Sequence, residues 1–503
     1  MSSSKIFLGI DVGHTVVKVA AYDEKGNEIA NAGYRVELKN PKPGYYETDV
    51  EELFSSTLNA IKEIGKKINL HDVAAIGLCG GGDGFYALDR NLNPIGNGIP
   101  GLDRRAINIL RKLKEEGLYG MLFNKIGMPV LPGSIPIVLR WFKENDRNFY
   151  DKIAVILARK DIVRYMLTGD ISTEISDACF GVLNVYTQEY DREIFEIVGV
   201  EDKFDALPEL RPNSYDVAGY ITEKVASITG LKVGTPVIAG AHDACCNTIG
   251  TGAIEPHVVC TGGGTWSINL TIVDKPILNP KWSCEAFVKK GTWILEGSSP
   301  TATVSLDWFV DIFMKEEKEK MGKLVYKYCD EIVEKTETGL IFLPYLMGLP
   351  WGYPFQENAS GAFIGIRIED SKKEFLRAVF EGITFVHALH INEYEKYIGV
   401  NEVRFTGGAA RSKVWTQMLA DTIGKKVVTV DKEETGCFGA AILAMWGIGE
   451  IRGLDEMKGL VRIKEVFYPK EENREKYERK YRLFVEICQI LEKYWGDLEK
   501  LRG

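Results

Sequence analysis

The chain of 503 residues is longer than one hydrophobic core usually supports, so its length predicts two large domains. Its composition, with 45% hydrophobic and 26% charged residues, is that of a globular protein and excludes disorder over most of the chain. The formal net charge of -9 argues against a nucleic-acid partner, because there is no broad excess of lysine and arginine to contact phosphates.

Cysteine usage and hydropathy lead us to expect a cytoplasmic protein. The nine cysteines are an odd number and none are spaced as C-x-x-C, which favours reduced thiols over a disulfide framework. The N-terminal residues lead into a strand-like run without the apolar segment of a signal peptide. The longest apolar stretch, Cys437 to Gly449, is too short to span a bilayer, so we expect no membrane partner.

The N-terminal segment predicts an antiparallel meander followed by a helix and a strand. Two apolar runs, Ile6 to Ile10 and Val16 to Tyr22, flank a polar turn, and turn-forming residues precede a third strand from Glu28 to Val36. A helix from about Val50 to Gly65 and a strand from Val73 to Cys79 come next.

A similar order of elements begins again in the second half of the chain. A buried strand ends at Gly240 and a helix begins near Asp243, before the strands Val258 to Cys260 and Thr265 to Ile272 flank a glycine-rich turn. We therefore expect two structurally related halves. Near the C-terminus, apolar residues at helical spacing between Tyr477 and Leu491 predict an amphipathic helix that packs by one face.

Two glycine-containing hairpin turns could hold phosphate groups. In GIDVGHTVVK (9–18), Asp11 ends a strand and Gly13 leaves backbone N–H groups open, so the turn could bind phosphate while Asp11 accepts from metal-bound water. In CTGGGTW (260–266), the hydroxyls of Thr261 and Thr265 flank three glycines. Each turn also has a purely structural interpretation, since such residues are common in tight hairpins.

A third glycine-containing turn separates a strand from a helix in VRFTGGAARSKVWTQMLAD (403–421). Gly407 and Gly408 stand where the chain must pass close to something flat or bulky, such as a nucleotide base or ribose. The following helix would direct its positive N-terminal end toward a phosphate. A tight turn that needs glycine explains the same pattern without any ligand.

Asp243 is the candidate general base. In VIAGAHDACC (237–246) it follows a buried strand and begins a helix among small residues, where a carboxylate could accept a proton from a hydroxyl. A helix-capping aspartate is the alternative for this position.

Polar residues in two further segments could recognise a polyol. Asp83 follows a strand in GLCGGGDGFYALD (77–89), and Asp103 precedes Arg104 in PGLDRRA (100–106). Carboxylates accept hydrogen bonds from paired hydroxyls, and an arginine donates to neighbouring oxygens. An ion pair of Asp103 and Arg104 on the surface is the alternative.

Taken in this order, the segments resemble the FGGY family of carbohydrate kinases over nearly the whole chain. The resemblance implies an α/β fold, the two-lobed actin-like ATPase (ribonuclease H-like) fold, with two related domains around an interlobe cleft. It implies a sugar-binding N-terminal domain over 1–245, an ATP-binding C-terminal domain over 246–450 and a helical extension over 451–503 packed on the C-terminal lobe. A homodimer is also expected on this basis. The matching segments are GIDVGHTVVK (9–18), ILARKDIVRYMLTGD (156–170), GTPVIAGAHDA (234–244), GLIFLPYLMG (339–348), FEGITF (380–385) and TGGAARSKVWTQMLAD (406–421).

The resemblance also implies roles for individual residues. Asp243 would be the catalytic base, and Mg²⁺ would lie near Asp243 and, through water, near Asp11. The implied substrate-binding residues are Gly82, Asp83, Asp103, Arg104 and Asp243. The implied ATP-binding residues are Gly13, His14, Thr15, Lys18, Thr261, Gly262, Gly263, Gly264, Thr265, Gly407, Gly408, Ala409 and Ser412.

The chain departs from the family pattern where the substrate is expected. Gly81, Gly82 and Asp83 stand where xylulokinases look like Gln-Met-His and glycerol kinases like Gln-Arg-Glu, and Ala244 replaces the usual amide. The loop is more similar to the L-xylulose and erythritol kinase branches. We expect ATP-dependent phosphorylation of a pentulose such as xylulose, or of a tetritol or pentitol. The alternatives are a non-catalytic actin-like or chaperone-like ATP-binding module and a glycerol kinase.

Overall fold

The computed structural model describes residues 5–264, 266–348 and 358–501, so the expectations for Thr265 lie outside the described residues. The described chain forms two seven-stranded sheets with helices packed around them. None of the helices in these ranges is long and apolar enough to cross a membrane.

The first half has these strands and helices in chain order: β1 (Ile6–Val12), β2 (Val16–Asp23), β3 (Glu28–Arg35), β4 (Leu38–Lys42), β5 (Tyr45–Thr48), α1 (Val50–Gly65), β6 (Val73–Gly80), β7 (Gly84–Leu88), β8 (Ile99–Pro100), α2 (Ile107–Glu115), α3 (Tyr119–Ile126), α4 (Ile135–Asn145), α5 (Arg147–Lys152), β9 (Val155–Leu157), α6 (Arg159–Thr168), β10 (Ser172–Glu174), α7 (Ile175–Ala178), β11 (Leu183–Asn184), β12 (Glu189–Tyr190), α8 (Arg192–Val198), β13 (Glu209–Arg211), β14 (Val217–Tyr220), α9 (Glu223–Thr229), β15 (Pro236–Ile238), β16 (Ala241–His242) and α10 (Asp243–Gly250).

The second half continues with β17 (Val258–Gly263), β18 (Ser267–Val273), β19 (Ser283–Ala286), β20 (Trp293–Ser299), α11 (Thr303–Phe313), α12 (Lys315–Met321), α13 (Val325–Lys335), β21 (Ile341–Leu343), β22 (Ala362–Ile364), α14 (Lys372–Tyr397), β23 (Glu402–Thr406), α15 (Lys413–Ile423), β24 (Lys426–Val430), α16 (Thr435–Gly447), α17 (Leu454–Met457), β25 (Ile463–Phe467), α18 (Glu471–Leu491) and α19 (Trp495–Lys500).

The two large sheets share one topology. In the first, β3, β2 and β1 form the expected meander. β6 pairs in parallel with β1, β15 pairs in parallel with β6, and β14 pairs antiparallel with β15. In the second, β20, β18 and β17 form the meander, β23 and β24 add in parallel, and β25 pairs antiparallel with β24. The expectation of two related halves is thus confirmed by strand order.

Helix α16 belongs to the second half in sequence but packs on β1 and β6 of the first sheet and on α10. Glycines make this contact close. A Cβ built on Gly9 would lie 1.8 Å from the carbonyl oxygen of Cys437, and one on Gly77 would lie 1.9 Å from that of Ala440. The two lobes therefore meet through direct contact of backbones, which larger side chains would prevent.

The segment after residue 450 is not purely helical, which corrects the expectation of a helical extension. Strand β25 pairs with β24 at the edge of the second sheet before α18 begins. All five residues of β25 are exposed or half-buried, Ile463 and Val466 among them, so the segment lacks the buried apolar run that predicts a core strand. Helix α18 buries Tyr477, Phe484 and Cys488 on one face, as predicted.

Candidate active site

A cleft of about 550 Å³ lies between the lobes and is lined by residues of both. One wall is formed at the carboxyl ends of β1, β6 and β16, which run parallel to one another. Asp11 lies near the end of β1, Asp83 lies three residues after β6, and Asp243 directly follows β16. Because parallel strands end at the same edge of a sheet, these three carboxylates line one wall of the cleft.

Asp243 begins α10 with its side chain 43% exposed to the cleft. Its Oδ1 lies 3.0 Å from Nε2 of His242. Burial alone would raise the pKa of Asp243, but the charge and hydrogen bond of His242 lower it below its ordinary value. Burial likewise opposes the charge on His242, yet the negative charge of Asp243 raises the pKa of the imidazole well above its ordinary value. The carboxylate is therefore ionised at neutral pH and held in one orientation.

Asp11 lies opposite Lys18 in the register of β1 and β2. Burial raises the pKa of Asp11 to about 7, and the neighbouring charge of Asp243 adds to this effect. Lys18 lowers it only in part, because its Nζ also lies 2.7 Å from Oε2 of Glu434 in the other lobe. The carboxylates of Asp11 and Asp243 thus repel each other at the cleft, and the charge of Lys18 compensates only part of this repulsion.

The two glycines before Asp83 leave room for side chains from other segments. A Cβ on Gly81 would lie 2.9 Å from Nε2 of His14, and one on Gly82 would lie 2.1 Å from the ring of Phe180. The larger side chains expected of xylulokinases and glycerol kinases would collide there. Burial lowers the pKa of His14 to about 4, so its ring is neutral at the cleft.

Asp83 lines the cleft, and the protein does not satisfy all of its hydrogen-bonding capacity. Its Oδ1 is buried and has no hydrogen-bond partner among the described residues. Burial raises the pKa of Asp83 to about 7, and the charge of Glu285 adds to this while that of His242 opposes it. A ligand that donates hydrogen bonds would satisfy this carboxyl group.

The opposite wall contains the glycine turns of the second sheet. β17 and β23 run parallel with Gly262 opposite Thr406, so the turns that follow them lie side by side. Gly407 has φ +84° and a Cβ there would lie 2.9 Å from the carbonyl oxygen of Gly263, so this position requires glycine for packing. Among the described residues, a Cβ on Gly264 would meet nothing within 4 Å. Gly264 therefore borders open space in the cleft where a ligand could approach the backbone.

Asp103 is placed differently from the expectation that it binds substrate. It is fully buried and its Oδ1 accepts from Nε of Arg105 at 2.9 Å, while its Oδ2 accepts from the backbone N–H of Tyr46 at 2.7 Å. Arg105 rather than Arg104 is the ion-pair partner of this carboxylate. With both oxygens already bound and no position in the cleft lining, Asp103 is removed from the candidate site, whereas the substrate role of Arg104, which is exposed, stays a prediction.

Several residues expected at the nucleotide lie near the cleft without lining it. Thr261 is buried and donates from its hydroxyl to Oδ1 of Asn269 inside the lobe, and Ser412 caps α15. The expected residues that do line the cleft are Asp11, His14, Lys18, Gly82, Asp83, Asp243, Gly262, Gly264 and Gly407. Those outside the lining are Gly13, Thr15, Thr261, Gly263, Gly408, Ala409 and Ser412.

The sequence did not indicate the polar face of the β19–β20 hairpin, which also lines the cleft. It presents Glu285 and Glu296, while Asn247 lies one helical turn beyond Asp243 on the same face of α10. Asn247 provides a side-chain amide at the cleft, which Ala244 does not. The Oδ1 of Asn247 accepts from the hydroxyl of Thr435 at 2.7 Å. An acidic residue next to apolar strand residues, Cys284 and Ala286 for Glu285 and Leu295 for Glu296, was the available indication for both glutamates.

Solved structures with the same fold define the class of this protein. The gluconate kinase from Lactobacillus acidophilus superposes with a TM-score of 0.90 at 26% identity, covering 99% of this chain and 100% of that chain. The ligand-bound xylulose kinase from Lactobacillus acidophilus gives 0.90 at 26% identity, covering 98% and 100%. The fold is therefore the expected two-domain α/β fold of the actin-like ATPases, in the form used by sugar kinases.

The sequence comparisons identify the family. Residues 6–250 match the N-terminal domain, and residues 260–448 the C-terminal domain, of the FGGY family of carbohydrate kinases. The L-xylulose/3-keto-L-gulonate kinase of Escherichia coli K12 is 30% identical over 99% of this chain and 99% of its own length. The probable L-xylulose kinase of Pasteurella multocida is 28% identical over 96% and 99%.

This chain belongs to the FGGY family of carbohydrate kinases. It is a sugar kinase, and as such it takes ATP as its phosphate donor. The predicted family, fold and enzyme class are confirmed, and the alternative of a non-catalytic ATP-binding module is set aside.

Proposed function

We propose that this kinase transfers the γ-phosphoryl group of Mg-ATP to a hydroxyl of a pentulose or a small polyol, with Asp243 as general base. The observation that carries the proposal is the ionised carboxylate of Asp243, which opens onto the interlobe cleft from the first turn of α10. Phosphoryl transfer needs one group that orients and deprotonates the attacking oxygen, and this carboxylate is available for that purpose.

His242 supports Asp243 in this role. Its Nε2 lies 3.0 Å from Oδ1 and fixes one side of the carboxylate, which leaves the remaining lone pairs for a substrate hydroxyl. The backbone N–H of His242 donates to Oγ of Ser176 at 2.9 Å, so the histidine itself is anchored in the N-terminal lobe. A preorganised base of this kind lowers the reorganisation needed before proton transfer.

Asp11 and Asp243 are suited to a divalent cation. Burial and the charge of Asp243 raise the pKa of Asp11 to about 7, which shows two carboxylates without sufficient positive charge nearby. Such a pair fits magnesium, which prefers oxygen ligands and usually keeps several waters. Magnesium, when bound, would neutralise charge on the transferred phosphoryl group. Asp11 would hold it through water, and Asp243 would lie beside it.

The nucleotide would lie against the second sheet and the start of α16. Open space beside Gly264 lets phosphate oxygens approach backbone N–H groups, and Gly407 lines the cleft beside it. The N-terminus of α16 also reaches the cleft at Thr435 and Gly436, where the helix dipole favours negative charge. The relatives named as L-xylulose kinases support a ketopentose as the acceptor.

Replacement of the proposed base tests this function. Asp243→Asn keeps the side-chain size but removes the proton acceptor, so we expect kcat to fall by roughly two to four orders of magnitude. ADP release would be followed with Mg-ATP and each of D-xylulose, L-xylulose, ribulose, xylitol, erythritol and glycerol. The phosphorylated carbon of the product would be assigned by ³¹P-coupled NMR.

The matched control is Asp205→Asn, which makes the same change at a side chain that is 90% exposed on the surface. It should retain wild-type turnover. Thermal unfolding and nucleotide binding by calorimetry would establish that Asp243→Asn is folded. Wild-type-like turnover in a folded Asp243→Asn enzyme would rule out this carboxylate as the base, and no ADP release with any of the acceptors would rule out the proposed acceptor class.

A further inference from the structure

The C-terminal lobe contributes a strip of polar side chains to the cleft. β19 and β20 pair antiparallel with Ser283 opposite Glu296 and Glu285 opposite Ile294. Side chains two residues apart on a strand point the same way, so Ser283, Glu285, Glu296 and Ser298 share one face of this hairpin. All four line the cleft.

The protein leaves part of the hydrogen-bonding capacity of this strip open. Glu285 is 1% exposed, and its Oε2 has no hydrogen-bond partner among the described residues. The nearest cation is Nδ1 of His242, at 3.6 Å, which is beyond hydrogen-bond distance and belongs to a ring already paired with Asp243. Burial raises the pKa of Glu296 to about 8, with the charge of Glu285 adding to the effect.

The same imbalance extends to the whole cleft. Among its described lining residues Lys18 has the one lysine or arginine side chain, and Lys18 is paired with Glu434. Outside the described residues, which leave out 1–4, 265, 349–357 and 502–503, the sequence contains one lysine, arginine or histidine, Arg502 near the C-terminus. The acidic residues that line the cleft are Asp11, Asp83, Asp243, Glu285, Glu296, Glu433 and Glu434.

We propose that Glu285 and Glu296 of the C-terminal lobe, together with Asp83 of the N-terminal lobe, form a carboxylate wall that binds hydroxyl groups of an uncharged sugar or polyol and rejects sugar acids. This inference rests on the proposed function, since it concerns the acceptor of the same transfer. Each carboxylate can accept hydrogen bonds from hydroxyls, which would satisfy oxygens that the protein leaves without partners.

A sugar acid would meet the opposite situation. Its carboxylate would bring a further negative charge to a pocket where burial and neighbouring acids already raise the pKa of Asp83 to about 7 and that of Glu296 to about 8, and no described arginine or lysine of the wall would receive it. The relatives differ in whether their names include a sugar acid. Some names include gluconate or 3-keto-L-gulonate, and others include only xylulose. The carboxylate wall predicts that this chain groups with the kinases of neutral substrates.

Matched pairs of compounds test the wall. D-glucitol and D-gluconate differ mainly in one terminal CH₂OH or carboxylate, as do xylitol and D-xylonate, and 3-keto-L-gulonate can be set beside L-xylulose. We expect kcat/KM for the neutral compounds that are turned over to exceed that for the acids by about 100-fold or more, because like-charge contacts in a buried site are strongly unfavourable. A sugar acid as the best substrate would overturn the inference.

Binding of the same pairs by calorimetry, without nucleotide, separates this inference from the proposed function. Tighter binding of neutral compounds without any phosphorylation would support the wall while contradicting the kinase reaction on these acceptors. Phosphorylation together with equal or tighter binding of the acids would contradict the wall alone.

Variants then assign the selectivity to the strip. Assayed at about pH 9, above the pKa of about 8 that burial gives Glu296, the partly exposed substitution Glu296→Gln should raise KM for neutral substrates and reduce the discrimination against acids by about tenfold. Glu285→Gln provides a second measurement at the buried position. Glu465→Gln, on the far edge strand β25 of the same sheet, is the control and should change neither quantity.

Two results with the variants would count against the wall. Unchanged discrimination in folded Glu296→Gln enzyme would show that the glutamate does not select against charge. The ligand atoms of His242, Glu285 and Glu296 lie within 4.8 Å of one another, so bound metal should also be measured by mass spectrometry. A stoichiometric metal that is lost in Glu296→Gln would overturn the wall, since a cation would compensate its charge.

Discussion

A fully buried ionic cluster lies behind the strands that carry the candidate site. Nζ of Lys160 lies 2.9 Å from Oδ1 of Asp161, 3.2 Å from Oε1 of Glu174 and 2.7 Å from Oδ2 of Asp177. Arg164 is the second cation, 2.7 Å from Asp161. Two cations among three carboxylates favour one protonated acid, and burial raises the pKa of Asp177 to about 8.

Replacement of Asp177 tests this charge state through the pH dependence of stability. In the unfolded chain Asp177 loses its proton above its ordinary pKa of 3.8, whereas the folded protein keeps it until about 8. Its contribution to stability is therefore complete below 3.8 and is lost as pH rises toward 8. Asp177→Asn imitates the protonated acid at every pH.

The free energy of unfolding of Asp177→Asn, relative to wild type, should thus increase by about 2 kcal/mol between about pH 5.5 and pH 7.5. Thermal and urea unfolding at several pH values would measure the difference, with Asp205→Asn as the exposed control. A difference that does not change with pH would contradict the protonated state.

Individual site residues were predictable where strand ends determine their position. Asp11, Asp83 and Asp243 follow strands that the sequence pattern identifies, and parallel pairing brings the three together. Asp103 was misassigned because its environment depends on Arg105, whose guanidinium turns back to bind it, and on a backbone N–H of a distant segment. Sequence spacing alone contains no information on that return contact.

At the scale of elements, the contact of α16 with α10 determines how the lobes meet. A Cβ on Gly439 of α16 would lie 1.9 Å from the carbonyl oxygen of Cys246 in α10. Asp243 is the first residue of α10, so any displacement of this helix moves the proposed base. The small residues of α16 are therefore required because a larger side chain would collide with the backbone of α10.

Gly439→Ala tests this contact. Alanine is the better helix former and would stabilise an unhindered helix by up to about 1 kcal/mol. At this position the added methyl group collides with a backbone, so we expect destabilisation of about 1–3 kcal/mol and a lower kcat as α10 shifts. Unfolding curves and ADP release would measure both.

The control for this prediction is the same substitution where space is open. Gly120→Ala lies in α3, where a Cβ would meet none of the residues that the structure describes within 4 Å, and should be neutral or stabilising. Equal effects of the two substitutions would show that the close approach of α10 and α16 does not limit stability.

Helices and strands with a strong apolar periodicity were predicted correctly. Strands whose role depends on contact between the two lobes were not. The helix α1 and the meander β1 to β3 follow from apolar spacing and turn residues that lie within the segments themselves. The hairpin of β19 and β20 presents its glutamates to a cleft that exists only when both lobes are in place. Its alternation of polar and apolar residues is also typical of a strand facing solvent, so sequence alone could not distinguish the two.

At the scale of the whole molecule, the cleft is shared between lobes that contact each other mainly behind it. The base lies on the N-terminal side, and the open glycine turns lie on the C-terminal side. Lys18 and Glu434 link the lobes at one end through an ion pair of 2.7 Å. A ligand that contacts both walls would favour a conformation in which they approach, because its binding energy differs between the open and closed arrangements.

We therefore expect the radius of gyration from X-ray scattering in solution to decrease when acceptor and a non-hydrolysable ATP analogue are both present. Either ligand alone should have a smaller effect, because each would occupy only part of the cleft and contribute only part of the binding energy that favours closure. The folded Asp243→Asn variant should show the same decrease, since closure precedes proton transfer and does not require it. Calorimetry must show saturation under the same conditions. An unchanged radius at saturation would mean that the two walls already stand at their catalytic separation, and that exclusion of water from the transferred phosphoryl group does not depend on movement of the lobes.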